Sequence, residues 1–349
     1  MNNDNIKRKR RNSSEVWFER RVERQLQRER TNYLVFAQDA MIPMAQRMEE
    51  HDPDRFNYLP ISWGKFSDGT DNIKITGFQP NVIAGSDCIF LASFHNNDVT
   101  LSAFSVLIVL LQSFVKSLTI VLPYFPVGTM ERVIEEGSVA TANTYGILLS
   151  NLPRAGRPCR LMMYDIHTLQ NRFYFHDAVI PSLHSAVPYF IQQILSKTNI
   201  NAVAFPDEGA AKRFTQAFKE EGGYENIICG KVRNGDKRIV TIHDGDPKDK
   251  HVVVVDDLVQ TGGTLFECGK ALKAAGAASV SAFVTHAVFP NEAYKQWVIG
   301  GKKGGVFNKF WITNSIPSTT TKLNTPELKE IFEVVDLLPC ILTDLVQYT

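Results

Sequence analysis

Several features that would place a protein outside the ordinary globular class are scarce or missing in this sequence. The five cysteines are scattered, odd in number and never spaced as CxxC, a pattern that argues against a disulfide framework and against a zinc site. The longest apolar run, SVLIVLL at residues 105–111, is far too short to cross a bilayer. No apolar N-terminal segment resembles a secretory signal. We therefore expect reduced thiols, no membrane partner and a cytoplasmic location.

An excess of charge of one sign is also missing. The 38 Lys and Arg residues nearly balance the 37 Asp and Glu residues, which leaves a formal net charge of +1. Such a chain is not built to neutralise a nucleic-acid backbone, so no nucleic-acid partner is expected. With 349 residues, 44% of them hydrophobic, the chain is long enough for two domains that each have a core.

The first 32 residues differ in composition from the rest of the chain. KRKRR at residues 7–11 is followed by FERRVERQLQRER, which is rich in Arg and Glu. This composition predicts a basic, helical and solvated extension that can be mobile. A targeting or nucleic-acid role for the segment is the alternative.

Apolar strand-like runs alternate with helical stretches from residue 33 onward. CIFLASF, LTIVLPYF, RLMMYDIH and HVVVVDD are typical of buried parallel strands, while VATANTYGILLSNL and GGTLFECGKALKAAG are typical of helices. The alternation predicts an α/β fold in which a doubly wound, mainly parallel sheet is made twice. We place the two domains at residues 33–183 and 184–349. The IGGKKGG segment at residues 299–305 is predicted as a flexible surface loop.

The segment HVVVVDDLVQTGGTL at residues 251–265 combines two carboxylates with a glycine-rich turn of the kind that binds anions. A glycine-rich turn at a helix N-terminus binds phosphate through free N–H groups, and Thr261 and Thr264 can add hydroxyl donors. Asp256 and Asp257 would repel a phosphate but accept hydrogen bonds from sugar hydroxyls. A ligand with a phosphate at one end and a cis-diol at the other, such as ribose 5-phosphate, satisfies both halves. The plainer interpretation is a strand that ends in a solvated turn.

This segment resembles the ribose-phosphate-binding fingerprint of type I phosphoribosyltransferases. The resemblance implies a phosphoribosyltransferase-like fold for the C-terminal domain. It also implies a ribose 5-phosphate loop formed by Asp256, Asp257, Thr261, Gly262, Gly263 and Thr264.

Three further segments carry side chains suited to phosphate chemistry. YDIH ends a predicted strand with Asp165 and His167, which offer an oxygen ligand for magnesium and a donor for a phosphate oxygen or a metal-bound water. The turn DEGA at residues 207–210 precedes a helix and can bind pyrophosphate and its magnesium. Lys231 and Arg233 alternate on a strand that leads into a mobile loop, where two cations can meet the charge that develops on a transferring phosphoryl group. A solvated run of charges is the alternative for this strand.

Together these segments resemble the phosphoribosylpyrophosphate synthetases (ribose-phosphate diphosphokinases) from about residue 55 onward, with FSDG, YFPVGTMER and TNSIP as additional matches. The resemblance implies two tandem type I phosphoribosyltransferase-like domains with the active site in the crevice between them. It implies transfer of the pyrophosphoryl group of ATP to the anomeric hydroxyl of ribose 5-phosphate, with Mg²⁺ as cofactor. It also implies a homo-oligomer in which a neighbouring subunit supplies part of the ATP site.

The resemblance also implies a role for each candidate site residue. The implied residues are Lys231 and Arg233 for catalysis; Asp207, Glu208, Gly209 and Ala210 for pyrophosphate; Phe66, Asp68, Arg132 and His167 for ATP; and Asp165, His167 and Asp207 for the metal.

The phrases GTMER, EEGSVATA, FYFHD and VDDLVQTGGTL resemble the plant-type class II enzymes. Thr129 and Met130 stand where the bacterial and animal enzymes carry an Arg-Gln pair for ATP, and Thr70 and Gln260 stand at positions where acidic residues are expected. Neither a Walker P-loop nor GxGxxG occurs, so the nucleotide must be held by other means.

Two other functions stay open at this point. A phosphoribosyltransferase would consume the pyrophosphorylated sugar together with a base, and it would need a hood for the nucleobase while leaving YDIH unexplained. A non-catalytic regulatory subunit of the synthetase would keep the fold. Such a subunit is expected to lose catalytic residues, yet Lys231, Arg233, Asp165 and His167 are all present.

Overall fold

The structure is a computed structural model that describes residues 32–133, 135–234 and 237–347, with the backbone alone described at residues 231–234, 237–239 and 346–347. Nearly all of the predicted basic extension lies outside the described residues, so its helical character stays a prediction. Two large sheets organise the described chain, one in each half of the sequence.

The N-terminal half folds around a six-stranded sheet in which every neighbouring pair is parallel. In spatial order its strands are β2 (Phe56–Tyr58), β1 (Tyr33–Ala37), β5 (Asp87–Leu91), β6 (Ser117–Val121), β7 (Cys159–Tyr164) and β8 (Val179–His184). A separate antiparallel pair consists of β3 (Ile61–Ser62) and β4 (Lys74–Ile75). The α-helices of this half are α1 (Ile42–His51), α2 (Asn97–Gln112) and α3 (Thr141–Ser150).

The C-terminal half folds around a seven-stranded sheet in which only the β10–β11 hairpin is antiparallel. In spatial order its strands are β11 (Lys237–Asp244), β10 (Glu225–Asn234), β9 (Ala202–Phe205), β12 (His251–Val259), β13 (Ser279–Ala287), β14 (Phe310–Thr313) and β15 (Phe332–Val335). Its α-helices are α4 (Val187–Gln193), α5 (Glu208–Glu221), α6 (Gly263–Ala274), α7 (Pro317–Thr320), α8 (Pro326–Ile331) and α9 (Leu338–Gln347). Among the described residues, no helix has the length and apolar character needed to span a membrane.

Short 3₁₀ helices occupy several of the connections between these elements. They run over Asp39–Met41, Leu169–Tyr174, Leu195–Lys197, Pro290–Trp297 and Thr321–Leu323.

Continuous apolar runs account for the central strands of both sheets. The four valines at residues 252–255 of β12 are fully buried, as expected where a parallel sheet is covered on both faces. The predicted α/β fold with two mainly parallel sheets is confirmed, and the quoted runs match β5, β6, β7, β12, α3 and α6. The first sheet ends at His184. The division into domains at residue 183 stays a prediction.

The two sheets are joined by a shared apolar core. Side chains from β1, β7 and α1 of the first half pack in one cluster with side chains from α4, α5, β12, β13 and α9 of the second half. Phe190 of α4 stacks on Phe283 of β13 with ring centres 3.9 Å apart. Burial of this apolar surface on both sides stabilises one relative placement of the two sheets.

Polar contacts reinforce the same interface. The guanidinium of Arg47 in α1 donates to both carboxylate oxygens of Asp336 at 2.6 and 3.1 Å. The hydroxyl of Tyr164 donates to Asp344 of α9 at 2.7 Å. These contacts join residues 180 or more positions apart in the chain, so they depend on both halves being folded.

We predict that Phe190→Ala destabilises the whole protein, because it leaves a cavity where the sheets meet. Truncation of a buried phenylalanine costs about 3–5 kcal/mol, and urea denaturation followed by circular dichroism should show a loss of that size. Phe173→Ala is the matched control because that ring is 75% exposed. Equal stability of the two variants would contradict a shared core.

Candidate active site

A large cavity opens where the carboxyl ends of strands from both sheets face each other. It has a volume of about 1210 Å³, and most of its lining residues lie at or just after the carboxyl ends of β7 and β8 in the first sheet and of β9 and β12 in the second. Ligands of open α/β sheets bind in the crevice outside the carboxyl ends of the strands. The predicted site residues that line the cavity are Arg132, Asp165, His167, Asp207, Gly209, Ala210, Asp256, Asp257, Thr261, Gly262, Gly263 and Thr264.

The turn between β12 and α6 has the backbone geometry of an anion-binding site. Residues 261–264 form this anion seat. Gly262 adopts a left-handed conformation with φ of +75°, and a Cβ at this position would lie 2.4 Å from the Trp297 ring. Both conditions require glycine. No side chain caps the N-terminus of α6, and around Gly263 there is open space for a ligand. Free N–H groups at the start of this helix are therefore presented to the cavity, as phosphate binding needs.

The two adjacent aspartates differ in their surroundings. Asp257 is 3% exposed, whereas Asp256 is half-buried. The backbone N–H of Asp257 donates to the carboxylate of Asp256 at 2.9 Å. Burial, followed by the charge of Asp257, raises the pKa of Asp256 well above its usual value.

Asp257 is the centre of a charged cluster that joins the two halves of the protein. His167 Nδ1 donates to its carboxylate at 2.6 Å, and a guanidinium nitrogen of Arg213 lies 3.1 Å from the same oxygen. Burial raises the pKa of Asp257, but the hydrogen bond from His167 and the charge of Arg213 outweigh it and hold the pKa well below its usual value. The hydrogen bond to Asp257 raises the pKa of His167 in turn.

Arg213 belongs to this cluster, and the sequence patterns do not single it out. Besides its contact with Asp257, it donates to the backbone carbonyl of His167 at 3.1 Å. The available signal was the spacing of buried Ala210 and Phe214 on α5. Those two residues are four apart and define the buried face of the helix, which puts Arg213 at its edge, beside the predicted pyrophosphate turn.

Asp165 follows β7 of the first sheet and is held by hydrogen bonds from the segment after β8 and from β13 of the second sheet. It is 4% exposed, and its carboxylate accepts from Ser185 Oγ at 2.6 Å, from the N–H of Ala186 at 2.9 Å and from Thr285 Oγ1 at 2.6 Å. These donors engage both carboxylate oxygens. The structure thus gives Asp165 a bridging position between the sheets, and its metal-binding role stays a prediction.

The predicted pyrophosphate turn forms the N-terminus of α5. Asp207 caps the helix by accepting a hydrogen bond from the N–H of Ala210 at 3.0 Å, and Gly209 and Ala210 line the cavity with it. Glu208 is turned to solvent and pairs with Lys212 at 3.4 Å. It does not belong to the lining that the described residues form.

Two predicted ATP contacts lie outside the cavity. Phe66 and Asp68 sit in the loop between β3 and β4, where Phe66 is 56% exposed and Asp68 accepts hydrogen bonds from the N–H and hydroxyl of Thr70 at 2.9 and 2.6 Å. Neither residue is part of the lining that the described chain provides. Arg132 does line the cavity, and its Nε lies 3.0 Å from a carboxylate oxygen of Glu131.

The predicted catalytic residues are described only through their backbone. Lys231 and Arg233 lie in β10, opposite Val240 and Arg238 of β11. They are two positions apart and therefore share one face of the hairpin. Their side chains lie outside the described part of the structure.

A ready-made metal cage is not seen among the described residues, where no three His, Cys, Asp or Glu side chains converge as a set of ligands. Magnesium sites in nucleotide chemistry commonly use one or two carboxylates together with substrate phosphates and water. Asp207 at the cavity wall offers such a carboxylate.

Comparison with known proteins agrees with this geometry. A model of the phosphoribosyl transferase domain matches residues 230–306, which include the anion seat and the last five residues of β10. The fold resembles that of phosphoribosylpyrophosphate synthetase from Mycobacterium smegmatis, with a TM-score of 0.73 over 90% of this chain and 98% of that chain at 21% identity.

Curated relatives show the same relationship at higher identity. The chain is 42% identical to the rice (Oryza sativa subsp. japonica) chloroplastic ribose-phosphate pyrophosphokinase 3, over 88% of this chain and 74% of that protein. It is 44% identical to Arabidopsis thaliana ribose-phosphate pyrophosphokinase 4, over 82% of this chain and 84% of that protein. The predicted plant-type resemblance is confirmed, and the chain belongs to the ribose-phosphate pyrophosphokinase family.

Proposed function

We propose that the protein is a ribose-phosphate diphosphokinase that transfers the pyrophosphoryl group of ATP to the anomeric hydroxyl of ribose 5-phosphate. The products are 5-phosphoribosyl diphosphate and AMP. The observation that carries the proposal is the joint lining of one cavity by the anion seat of α6, the turn that begins α5 and His167 from the first half. Family membership supports the same reaction.

The sugar phosphate is assigned to the turn between β12 and α6. Its phosphate would accept hydrogen bonds from the N–H groups at residues 262–264 and from the hydroxyls of Thr261 and Thr264. The carboxylates of Asp256 and Asp257 would accept from the ribose hydroxyls. Because Asp257 is already paired with His167 and Arg213, Asp256 has the freer carboxylate for the sugar.

The pyrophosphoryl group is assigned to the turn at residues 207–210, where the start of α5 offers backbone N–H groups. We propose that Asp207 contributes the carboxylate for Mg²⁺ and that His167 contacts a metal-bound water, with ATP also contacting Arg132. Asp165 fits a metal less well, since three donors already engage its carboxylate. Magnesium would neutralise charge on the phosphates during transfer.

Lys231 and Arg233 are proposed to stabilise the charge that develops as the pyrophosphoryl group leaves AMP. The hydroxyl of the sugar attacks the β-phosphorus in line, so positioning and electrostatic stabilisation account for most of the catalysis. We assign no general base.

We further propose a homo-oligomer in which Phe66 and Asp68 of one subunit complete the ATP site of another. The loop that carries them is fastened to α2 by Lys65, which pairs with Asp98 at 2.5 Å, and by Ser102, which donates to Asp71 at 2.7 Å. The same helix exposes Leu101, Ile108 and Val109, and exposed apolar surface favours association. Sedimentation velocity tests this, and a fully active monomer would contradict it.

We also propose that the protein works in a reducing compartment, and we keep the cytoplasm as its predicted location. All five cysteines are free and buried, and this supports reduced thiols. Relatives include proteins named chloroplastic and mitochondrial. Imaging of a fluorescent fusion, with and without residues 1–31, separates these locations.

The reaction is tested by incubating the protein with ribose 5-phosphate and Mg-ATP in the absence of any nucleobase. A diphosphokinase produces AMP and 5-phosphoribosyl diphosphate in equal amounts, which chromatography detects. A phosphoribosyltransferase or a non-catalytic subunit produces no AMP under these conditions, so that outcome would refute the proposed function.

Within that assay, we predict that Lys231→Ala and Arg233→Ala each lower kcat roughly 10²–10³-fold, the usual effect of removing one preorganised donor. The KM for either substrate should change little, because the contacts form only in the transition state. Lys219→Ala, an exposed change near the end of α5, is the control. Unchanged kcat with a raised KM would mean that these cations serve ordinary binding.

We predict that His167 stabilises the folded protein at low pH and that this stabilisation is lost as the pH rises. Its pKa is raised in the folded state by Asp257, so the stabilisation is fully present below the unfolded pKa of about 6.5 and is lost as the pH rises through the folded value. The melting temperatures of the wild type and His167→Gln should therefore converge as the pH rises above about 6.5.

The control for this experiment is His51→Gln, an exposed histidine at the end of α1. It should show no comparable convergence with the wild type. If the difference in melting temperature between the wild type and His167→Gln stays constant or widens with rising pH, the His167–Asp257 pair does not stabilise the fold.

A further inference from the structure

The glycine-rich segment at residues 299–305 forms a compact hydrogen-bonded turn, although its composition predicts a flexible surface loop. The N–H of Lys303 donates to the carbonyl of Gln296 at 2.8 Å, and the N–H of Gly304 donates to that of Gly301 at 3.0 Å. A Cβ on Gly304 would lie 2.2 Å from the carbonyl oxygen of Val298. The glycines therefore permit close backbone approach within a defined structure.

The turn directs the side chain of Lys303 against the outside of the anion seat. The ammonium of Lys303 donates to the backbone carbonyl of Thr261 and lies 5.4 Å from the ring centre of Trp297, the ring on which Gly262 rests. Lys303 is half-buried and its neighbour Lys302 is exposed. Burial lowers the pKa of Lys303, in agreement with an ammonium that has left bulk water.

The far end of the turn is fastened to the same helix. Lys273 of α6 donates to the carbonyl of Gly305 at 2.8 Å. The side chains of the buried residues Val306 and Phe307, which follow the turn, pack on Gly269 of α6, where a Cβ would meet Val306 at 2.5 Å. The turn is therefore attached to α6 at two points, and Lys303 reaches Thr261, two positions before the first residue of the helix.

The contact with Thr261 determines the direction of the next N–H group. The peptide bond between Thr261 and Gly262 is trans, since the cis bond found in the described chain is at Gln79–Pro80. In a planar trans peptide the carbonyl and the N–H point in opposite directions. Lys303 does not belong to the cavity lining formed by the described residues, whereas Thr261 and Gly262 do. A carbonyl drawn outward to Lys303 thus turns the N–H of Gly262 toward the cavity.

From this geometry we infer that Lys303 is a positioning residue for the phosphate of the sugar substrate. It holds the Thr261–Gly262 peptide in the orientation that lets the N–H of Gly262 donate to phosphate. The positive charge at the carbonyl of Thr261 also polarises this peptide and makes its N–H a stronger donor. The inference rests on the proposed function in so far as the phosphate belongs to ribose 5-phosphate. The chemistry it requires is a phosphate monoester bound at the N-terminus of α6.

The test compares Lys303→Met with Lys302→Met in the same turn. Methionine keeps an unbranched apolar stem against Trp297 and removes only the ammonium. Steady-state kinetics yield kcat and the KM for each substrate, and thermal denaturation with and without ribose 5-phosphate measures binding without turnover. Lys303→Arg serves as the conservative variant because it restores a cationic donor.

We expect Lys303→Met to raise the KM for ribose 5-phosphate on the order of tenfold, the effect of one lost hydrogen bond to a charged group. Its KM for ATP should stay near the wild-type value, its thermal shift with ribose 5-phosphate should shrink, and Lys303→Arg should recover most of both losses. Lys302→Met should match the wild type.

Two results would overturn the inference. One is a Lys303→Met variant that cannot be distinguished from Lys302→Met. The other is a variant with a lowered melting temperature whose kcat and both KM values worsen together, which would indicate a purely structural role. If the wild type produces no AMP, the proposed function is wrong, and the thermal shift with ribose 5-phosphate alone decides the role of Lys303.

Discussion

The packing of α4 and the second sheet against the first sheet is the constraint on which the site depends. Phe190, stacked on Phe283 and fully buried, lies in a core to which both halves contribute. Apolar burial has no directional preference, so the orientation comes from the polar contacts around it. Asp165, bound to Ser185 on one side and Thr285 on the other, is one of these contacts and lines the cavity. Together they bring the carboxyl ends of strands from two sheets to one crevice.

Inside that crevice, charge is balanced by pairing across the two halves. Asp257 is almost completely buried, and a buried carboxylate is costly unless it is hydrogen-bonded and paired. His167 and Arg213 meet that need, and they do so from different halves of the chain. Asp256 is only half-buried and lines the cavity. Two adjacent residues of one type therefore have different environments, which suits one for holding the site together and the other for contacting a ligand.

The chemistry of single segments was predictable because it depends on local features. Four valines in succession indicate a buried parallel strand, and Gly262 marks the left-handed turn before α6, where the Trp297 ring also leaves no room for a side chain. Asp207 caps α5 as expected for an aspartate before a helix. The patterns did not predict Arg213 and Lys303 as site residues, since an Arg within a helix and a Lys among glycines are usually solvated.

The sequence by itself thus determined the central strands, several helices and the glycine-containing turns at the starts of α5 and α6, because periodicity and turn residues act over a few positions. The tertiary structure decided which of these segments meet. His167 reaches Asp257 across 90 residues, and Lys303 reaches Thr261 across 42. It also decided that Phe66 lies outside the cavity and that the carboxylate of Asp165 is engaged by three donors. Contacts of this range depend on how two sheets pack, and no local pattern of residue types encodes that packing.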